Sequence, residues 1–413
     1  MTMLLTNIKT LIGCHAPLLP LRGDDLASLN AIENAFVLVE DGLVADFGAM
    51  QDLSWKVPHP PKEVYDCSNR MVLPCWCDSH THLVFAGSRE NEFVDKIRGL
   101  SYAEIAARGG GILNSAARLN ETSKDELFCL AWQRLKQITV TGTGSVEIKS
   151  GYGLSVEGEL KMLRVIKKLK EKSSLQIKSS FLAAHTYPSE YRENHEGYIK
   201  LILEEMLPVI VRENLADYID VFCEQGFFSI EEMISVCKVA ARHGLKPKLH
   251  INQLNSIGGL QAAIALNALS VDHLEVMTGE DVKDLAASDT IGTLLPTAAY
   301  FLRMPFQPAR KLMDAGAAIA LASDYNPGSS PSGNMQGVVS MACIGMRMLP
   351  AEAINAATIN GAFAMEVADS AGSIAIDKRA DLIVTKEIPS VDYLPYAFGE
   401  YHIARVMIKG EWQ

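Results

Sequence analysis

Two histidines one residue apart, His80 and His82, stand in CDSHTHLVFAGSREN, where an apolar stretch gives way to a loop rich in glycine and charge. In a strand, residues i and i+2 point to the same side, so both imidazoles can face one ion. Short motifs of this kind also arise by chance, and two surface histidines in a turn would give the same letters. Company changes the reading. His185 follows SSFLAA, His250 follows KPKL, His273 follows LSVD and Asp324 follows AAIALAS, each at the end of an apolar run. His80, His82, His250 and Asp324 together offer three nitrogens and one oxygen. That set suits zinc or iron and leaves room for water. His185 and His273 could be further ligands or groups acting beside the ion, and each could instead be a packed histidine with one hydrogen bond. An uncharged imidazole at His273, next to Asp272 and near a metal-bound water, could orient that water or shuttle its proton.

Residues this far apart meet only if the chain brings strand ends together. From about residue 73 to 360, apolar runs of four to eight residues alternate with helical patterns. The strands expected are TGTGSVEIKS, QIKSSFLAAH, YIDVFCE, KPKLHIN, LSVDHLE, TIGTLLP and AAIALASD; the helices include Glu157–Lys172, HEGYIKLILEEMLPVIVREN and SIEEMISVCKVAARHG. The alternation indicates βαβ units and a parallel sheet. About eight units favour a (β/α)8 barrel, whose active sites sit at the C-terminal strand ends, though rhythm alone leaves a doubly wound sheet open. Both chain ends read differently. NAFVLVEDGLVADFGA is a hairpin pattern around Glu40-Asp41-Gly42, and GSIAIDKRADLIVTKE and YHIARVMIKGEWQ return to strands. The expected division is a small β-sandwich domain from residues 1–70 and 363–413, bracketing a barrel over 71–362.

The chain has 413 residues, 48% apolar and 21% charged, with a net charge of −11. A sizeable core is affordable, and a nucleic-acid or anionic-membrane partner is disfavoured. MTMLLTNIKTLIG lacks a basic region and a long apolar core, so it reads as a strand rather than a signal peptide, and no stretch approaches a membrane span. Eight cysteines without paired spacing suggest free thiols in a cytoplasmic protein. The glycines Gly109 to Gly111 lack a following G-K-[ST], which excludes a phosphate loop and leaves a lid segment or a simple turn.

DSHTHLVFAGSRENEF, GGGI, EIKSGYGL, FCEQGFFS, VDHLE, LLPTAAYFLR and SDYNPGSSP together resemble the imidazolonepropionases of the amidohydrolase superfamily, over nearly the whole chain. The resemblance implies hydrolytic opening of 4-imidazolone-5-propanoate to N-formimidoyl-L-glutamate in histidine degradation, by a homodimer carrying one zinc or iron ion per subunit. It makes His80, His82, His250 and Asp324 the ligands, and Asp324 and His273 the catalytic groups. It places the substrate against Arg89, Tyr152, His185, Asn326, Gly328 and Ser329. The chemistry agrees. Opening a cyclic amide needs an activated water and a stabilised oxyanion, and a propionate tail needs a cation, which arginine can supply through two parallel hydrogen bonds. Taken alone, Arg89 would read as an ordinary solvated arginine beside Glu90 and Glu92.

One position departs from the usual pattern. After His250 the chain reads Ile251-Asn252-Gln253, where relatives carry glutamate or glutamine at the last place, usually after aspartate. An amide cannot accept a proton at neutral pH, so Gln253 is expected to bind the ring and leave proton transfer to Asp324 and His273. The same residue weighs against the main alternative, an aminoheterocycle deaminase, which needs a glutamate there. A binuclear hydrolase with Lys149 as a carbamylated bridge, another cyclic-amide hydrolase, and a metal-free relative without activity are further readings.

Overall fold

The computed structural model describes residues 2–100, 104 and 110–413, so that Gly109 of the glycine run lies outside the described residues. The N-terminal segment supplies β1 (Thr2–Leu11), β2 (Ile32–Glu40), β3 (Leu43–Ala49), β4 (Glu63–Asp66) and β5 (Arg70–Pro74). Asp41 and Gly42 both take positive φ, 49° and 83°, which is what a two-residue hairpin between β2 and β3 requires.

The eight strands that follow are β6 (Trp76–Thr81), β7 (Thr143–Lys149), β8 (Gln176–Ala184), β9 (Tyr218–Cys223), β10 (Lys246–Ile251), β11 (Ser270–His273), β12 (Ile291–Leu294) and β13 (Ile319–Leu321). They pair in sequence order, all parallel, as the alternating pattern predicts. Strands such as Tyr218–Cys223 are buried at every residue, the mark of a sheet covered on both faces. The chain ends in β14 (Leu382–Glu387), β15 (Ile403–Ile408) and β16 (Glu411–Trp412). These join the N-terminal strands in one mixed sheet, ordered β16-β15-β14-β5-β1-β2-β3, with β4 beside β1. The expected small β domain made from both termini is this sheet, packed around Leu5, Ile8, Val37, Val72, Leu382 and Met407.

The barrel closes between its last strand and its first. Asp324 N donates to His80 O at 3.0 Å, His82 N donates to Tyr325 O at 2.9 Å, and Thr81 and Tyr325 form a parallel bridge. A polar clasp lies just below, where buried Asp78 accepts from Ser323 N at 2.9 Å and Ser323 Oγ at 2.6 Å.

Helices form where caps and periodicity agree. Val156–Lys172 begins at Ser155, whose side chain accepts from Gly158 N, and it buries Leu160, Leu163, Ile166 and Leu169. Ile230–Ala241 opens with a capping box between Ser229 and Glu232. The helix expected over HEGYIKLILEEMLPVIVREN is a helix of three pieces, α over His195–Lys200, π over Leu201–Met206 and α again over Leu207–Glu213. Pro208 has no N–H for the preceding turn, and the wider turn absorbs that loss. All eight cysteines are free thiols. Among the described residues no helix is long and apolar enough to cross a membrane.

The short helix Ile359–Phe363 lies directly on β6, and a Cβ at Gly361 would overlap the carbonyl oxygen of Cys77. Gly361→Ala is therefore expected to cost roughly 1–3 kcal/mol, as overpacking does. An unchanged denaturant midpoint would show that this helix has slack against the strand.

Candidate metal and substrate site

The parallel strands end at one rim, and five histidines arrive there. His80 and His82 come from the end of β6, His185 from just beyond β8, His250 from β10 and His273 from β11. Rings of His80 and His250 are 4.6 Å apart between centroids, and His82 stacks on His185 at 5.3 Å. The ligand atoms of His80, His82 and His250 all lie within 4.8 Å of one another. Asp324 Oδ1 is 3.5 Å from His80 Nε2 and 3.7 Å from His82 Nε2.

The layer beneath sets which nitrogen faces inward. His80 Nδ1 donates to Asp272 Oδ2 at 2.7 Å, and His250 Nδ1 donates to Asp220 Oδ1 at 3.0 Å. Each Nε2 is thereby left with a lone pair, the usual second-layer support for a metal-binding imidazole. His80 Nε2 is buried with no hydrogen-bond partner among the described residues. Burial, Lys149 and neighbouring imidazoles hold His80 and His250 well below the ordinary histidine range, and burial with His185 does the same for His82. Neutral, convergent nitrogens beside a carboxylate fit a divalent ion of the zinc or iron type.

His273 moves the other way. Burial opposes its charge, but Glu275 and Asp324 outweigh it and raise its pKa. Burial pushes the Asp324 carboxyl up to about 6, with His273, Asn326 and Ser329 pulling against it. Both residues sit at left-handed backbone, φ 90° and 51°. Side chains rarely adopt that region, and such strain collects at functional sites.

Under the histidines runs a fully buried ionic layer. Lys149 Nζ lies 2.6 Å from Glu147, 2.9 Å from Asp220 and 3.5 Å from Asp272, and Lys248 Nζ lies 3.0 Å from Glu147. Burial alone would lower the Lys149 pKa, and the three carboxylates raise it instead. Lys149 is thus an ammonium neutralising carboxylates. A carbamate on its nitrogen would add negative charge among them, which removes the physical basis for a bridged binuclear centre.

All the expected site residues except His80 line one cavity of about 820 Å³, and His80 lies buried beside it. Their loops are held by side chains that sequence reasoning missed. Glu159 accepts from the backbone N–H groups of Gly151, Gly153 and Leu154, at 3.1, 2.7 and 2.9 Å, and so fixes the turn presenting Tyr152. Gly151, at φ 107°, has no room for a Cβ against His185 Nδ1. Arg89 does pair with a neighbouring glutamate, Glu92 at 2.8 Å, and still lines the cavity. Asn326 has its amide committed to its own loop: Oδ1 accepts from Gly328 N and Ser329 N, and Nδ2 donates to Asp324 O and Ser329 Oγ. Ser329 Oγ in turn donates to Asp324 Oδ2 at 3.1 Å. Behind His273, Glu275 Oε1 lies 3.4 Å from Nδ1 and accepts from Gln307 Nε2 at 2.9 Å. The two-residue spacing of His273 and Glu275 was a readable signal; Gln307 had none.

The amidohydrolase family model matches residues 71–413. Over 412 residues the chain is 52% identical to an imidazolonepropionase of Flavobacterium johnsoniae, covering 100% of each. It is 43% identical to that of Clostridium tetani, over 94% of this chain and 92% of the relative. The chain belongs to the imidazolonepropionases of the amidohydrolase family. Solved structures extend the likeness at the level of fold: E. coli guanine deaminase has a TM-score of 0.75 at 14% identity, covering 100% of this chain and 99% of its own. A triazine hydrolase variant reaches 0.73 at 14%, covering 100% and 94%. Imidazolonepropionases and these more distant enzymes thus share an architecture.

If the ionic layer supports the histidines as described, Lys149→Met leaves buried Asp220 and Asp272 without their nearest ammonium, Glu147 keeping Lys248, and should cost roughly 3–5 kcal/mol. The measurement is the unfolding free energy in denaturant, and a value equal to the parent's would contradict the role given to Lys149.

Proposed function

We propose that this chain is a metal-dependent imidazolonepropionase, hydrolysing the cyclic amide of 4-imidazolone-5-propanoate to N-formimidoyl-L-glutamate in histidine degradation. The observation that carries this reading is the convergence of three histidines and Asp324 at one cavity that Arg89 also lines. Relatives bearing that name match across the full chain. His80, His82, His250 and Asp324 would hold one zinc or iron ion. Such an ion supplies Lewis-acid polarisation of the ring carbonyl and a water made acidic enough to attack near neutral pH.

The chain's own groups do the rest. Arg89 binds the propionate tail, steadied by Glu92, and Tyr152, His185 and Gln253 hold the imidazolone ring. Water attacks the ring carbonyl carbon while Asp324 takes up its proton. Asp324 then delivers that proton to the ring nitrogen as the C–N bond breaks, so acid and base are one residue used twice. His273, whose pKa Glu275 raises against burial, donates to the oxygen on which negative charge develops. Asn326 and Ser329 orient Asp324 through the loop they share with it. A cytoplasmic homodimer is the setting carried over from the family.

The test is the ultraviolet absorbance of freshly made 4-imidazolone-5-propanoate with metal-loaded enzyme, against an enzyme-free control for spontaneous decay. Enzyme-dependent loss with N-formimidoyl-L-glutamate as product is expected; no acceleration with metal bound would sink the reading. Two variants separate the roles. His250→Ala should lose both metal and turnover. Arg89→Ala should keep its metal and raise KM roughly 10- to 100-fold, the effect of a lost charge-assisted hydrogen bond. Metal retained by His250→Ala would mean that the ligand set is wrong.

A further inference from the structure

A second cation stands beside Arg89. Lys96 lies on the helix Glu90–Ile97, which begins just after Arg89, and both side chains face the same cavity. Both also reach the same residue. Lys96 Nζ donates to Gly328 O at 3.2 Å, and a Cβ at Gly328 would overlap the Arg89 guanidinium. Lys96, Arg89 and Gly328 all line the substrate cavity.

The charges there do not balance. Glu92 holds Arg89 through Nε and Nη2, and its other oxygen accepts from Gly111 N at 2.9 Å, so it is fully engaged. Among the described residues, no carboxylate lies within ion-pair distance of Lys96. An ammonium carries three protons, and the Gly328 carbonyl uses one. Burial and the Arg89 charge pull its pKa down against the opposing pull of Glu92. Among the described residues, Arg89 and Lys96 set against Glu92 leave one net positive charge at this end of the cavity.

Resting on the imidazolonepropionase reading, we propose that Lys96 is a second anchor for the substrate's tail carboxylate, sharing it with Arg89 at Gly328. Arg89 supplies direction and Lys96 supplies the unneutralised charge, which makes the site selective for an anionic tail.

The experiment compares Lys96→Met and Lys96→Arg with the parent enzyme on 4-imidazolone-5-propanoate and on its tail amide. Lys96→Met should lose roughly 10- to 100-fold in kcat/KM on the carboxylate, mostly through KM, with the ratio to parent on the amide near one. Lys96→Arg should keep most of the activity. Equal losses on both substrates would overturn the proposal, because Lys96 would then act only by holding the Gly328 loop. No loss on the carboxylate would overturn it as well. A parent enzyme inactive on both substrates would instead sink the functional reading, and this proposal with it.

Discussion

Everything at this site depends on how the barrel is closed. The bonds from Asp324 N to His80 O and from His82 N to Tyr325 O join the last strand's end to the first. They are main-chain bonds, indifferent to side-chain identity, yet they bring the His-x-His pair within reach of an aspartate more than 240 residues later in the chain. Closure and ligand assembly are one event. The clasp of Asp78 on Ser323, fully buried, strengthens the same seam from below. Burial pushes the Asp78 carboxyl up to about 7, against the pull of its hydrogen bonds to Ser323.

The second constraint is electrostatic. Orienting two imidazoles with Asp220 and Asp272 requires buried carboxylates, which are costly unless compensated. Lys149 and Lys248 compensate them within the barrel, and Glu147 joins the two lysines. The barrel interior is therefore a packed stack of charges beneath a packed stack of histidines. Its arrangement is better understood as fixing geometry than as adding stability, since buried ion pairs rarely exceed what apolar residues of the same volume would give.

Much of this was readable. Seven barrel strands, from Thr143–Lys149 to Ile319–Leu321, the terminal sheet and the rim histidines follow from apolar runs, their lengths and what stands at their ends. Supporting residues were harder to see. Glu159 is an ordinary early-helix glutamate by sequence, and only the fold turns it back onto the Gly151–Leu154 loop. Lys149 at a strand end leaves a carbamylated bridge open as a thin alternative, and the three carboxylates around it are visible only in the fold. Gln307 and Gln253 show the two sides of the matter. Gln253 sits three residues from a histidine and draws notice, whereas Gln307 reaches Glu275 from a distant loop. The break at Leu201–Met206 had a visible cause in Pro208, but periodicity alone carries straight through it.

Asp324 sits in a left-handed turn at φ 51°. That conformation admits aspartate, asparagine and glycine readily and other residues poorly. The acid at the centre of the site is thus chosen twice, by its carboxylate and by the bend of the chain that carries it. A longer acid would satisfy the first demand and strain the second. Inheritance at this position consequently runs along a narrow channel. Asparagine and glycine, which also fit this turn, would keep the bend of the chain while discarding the acid.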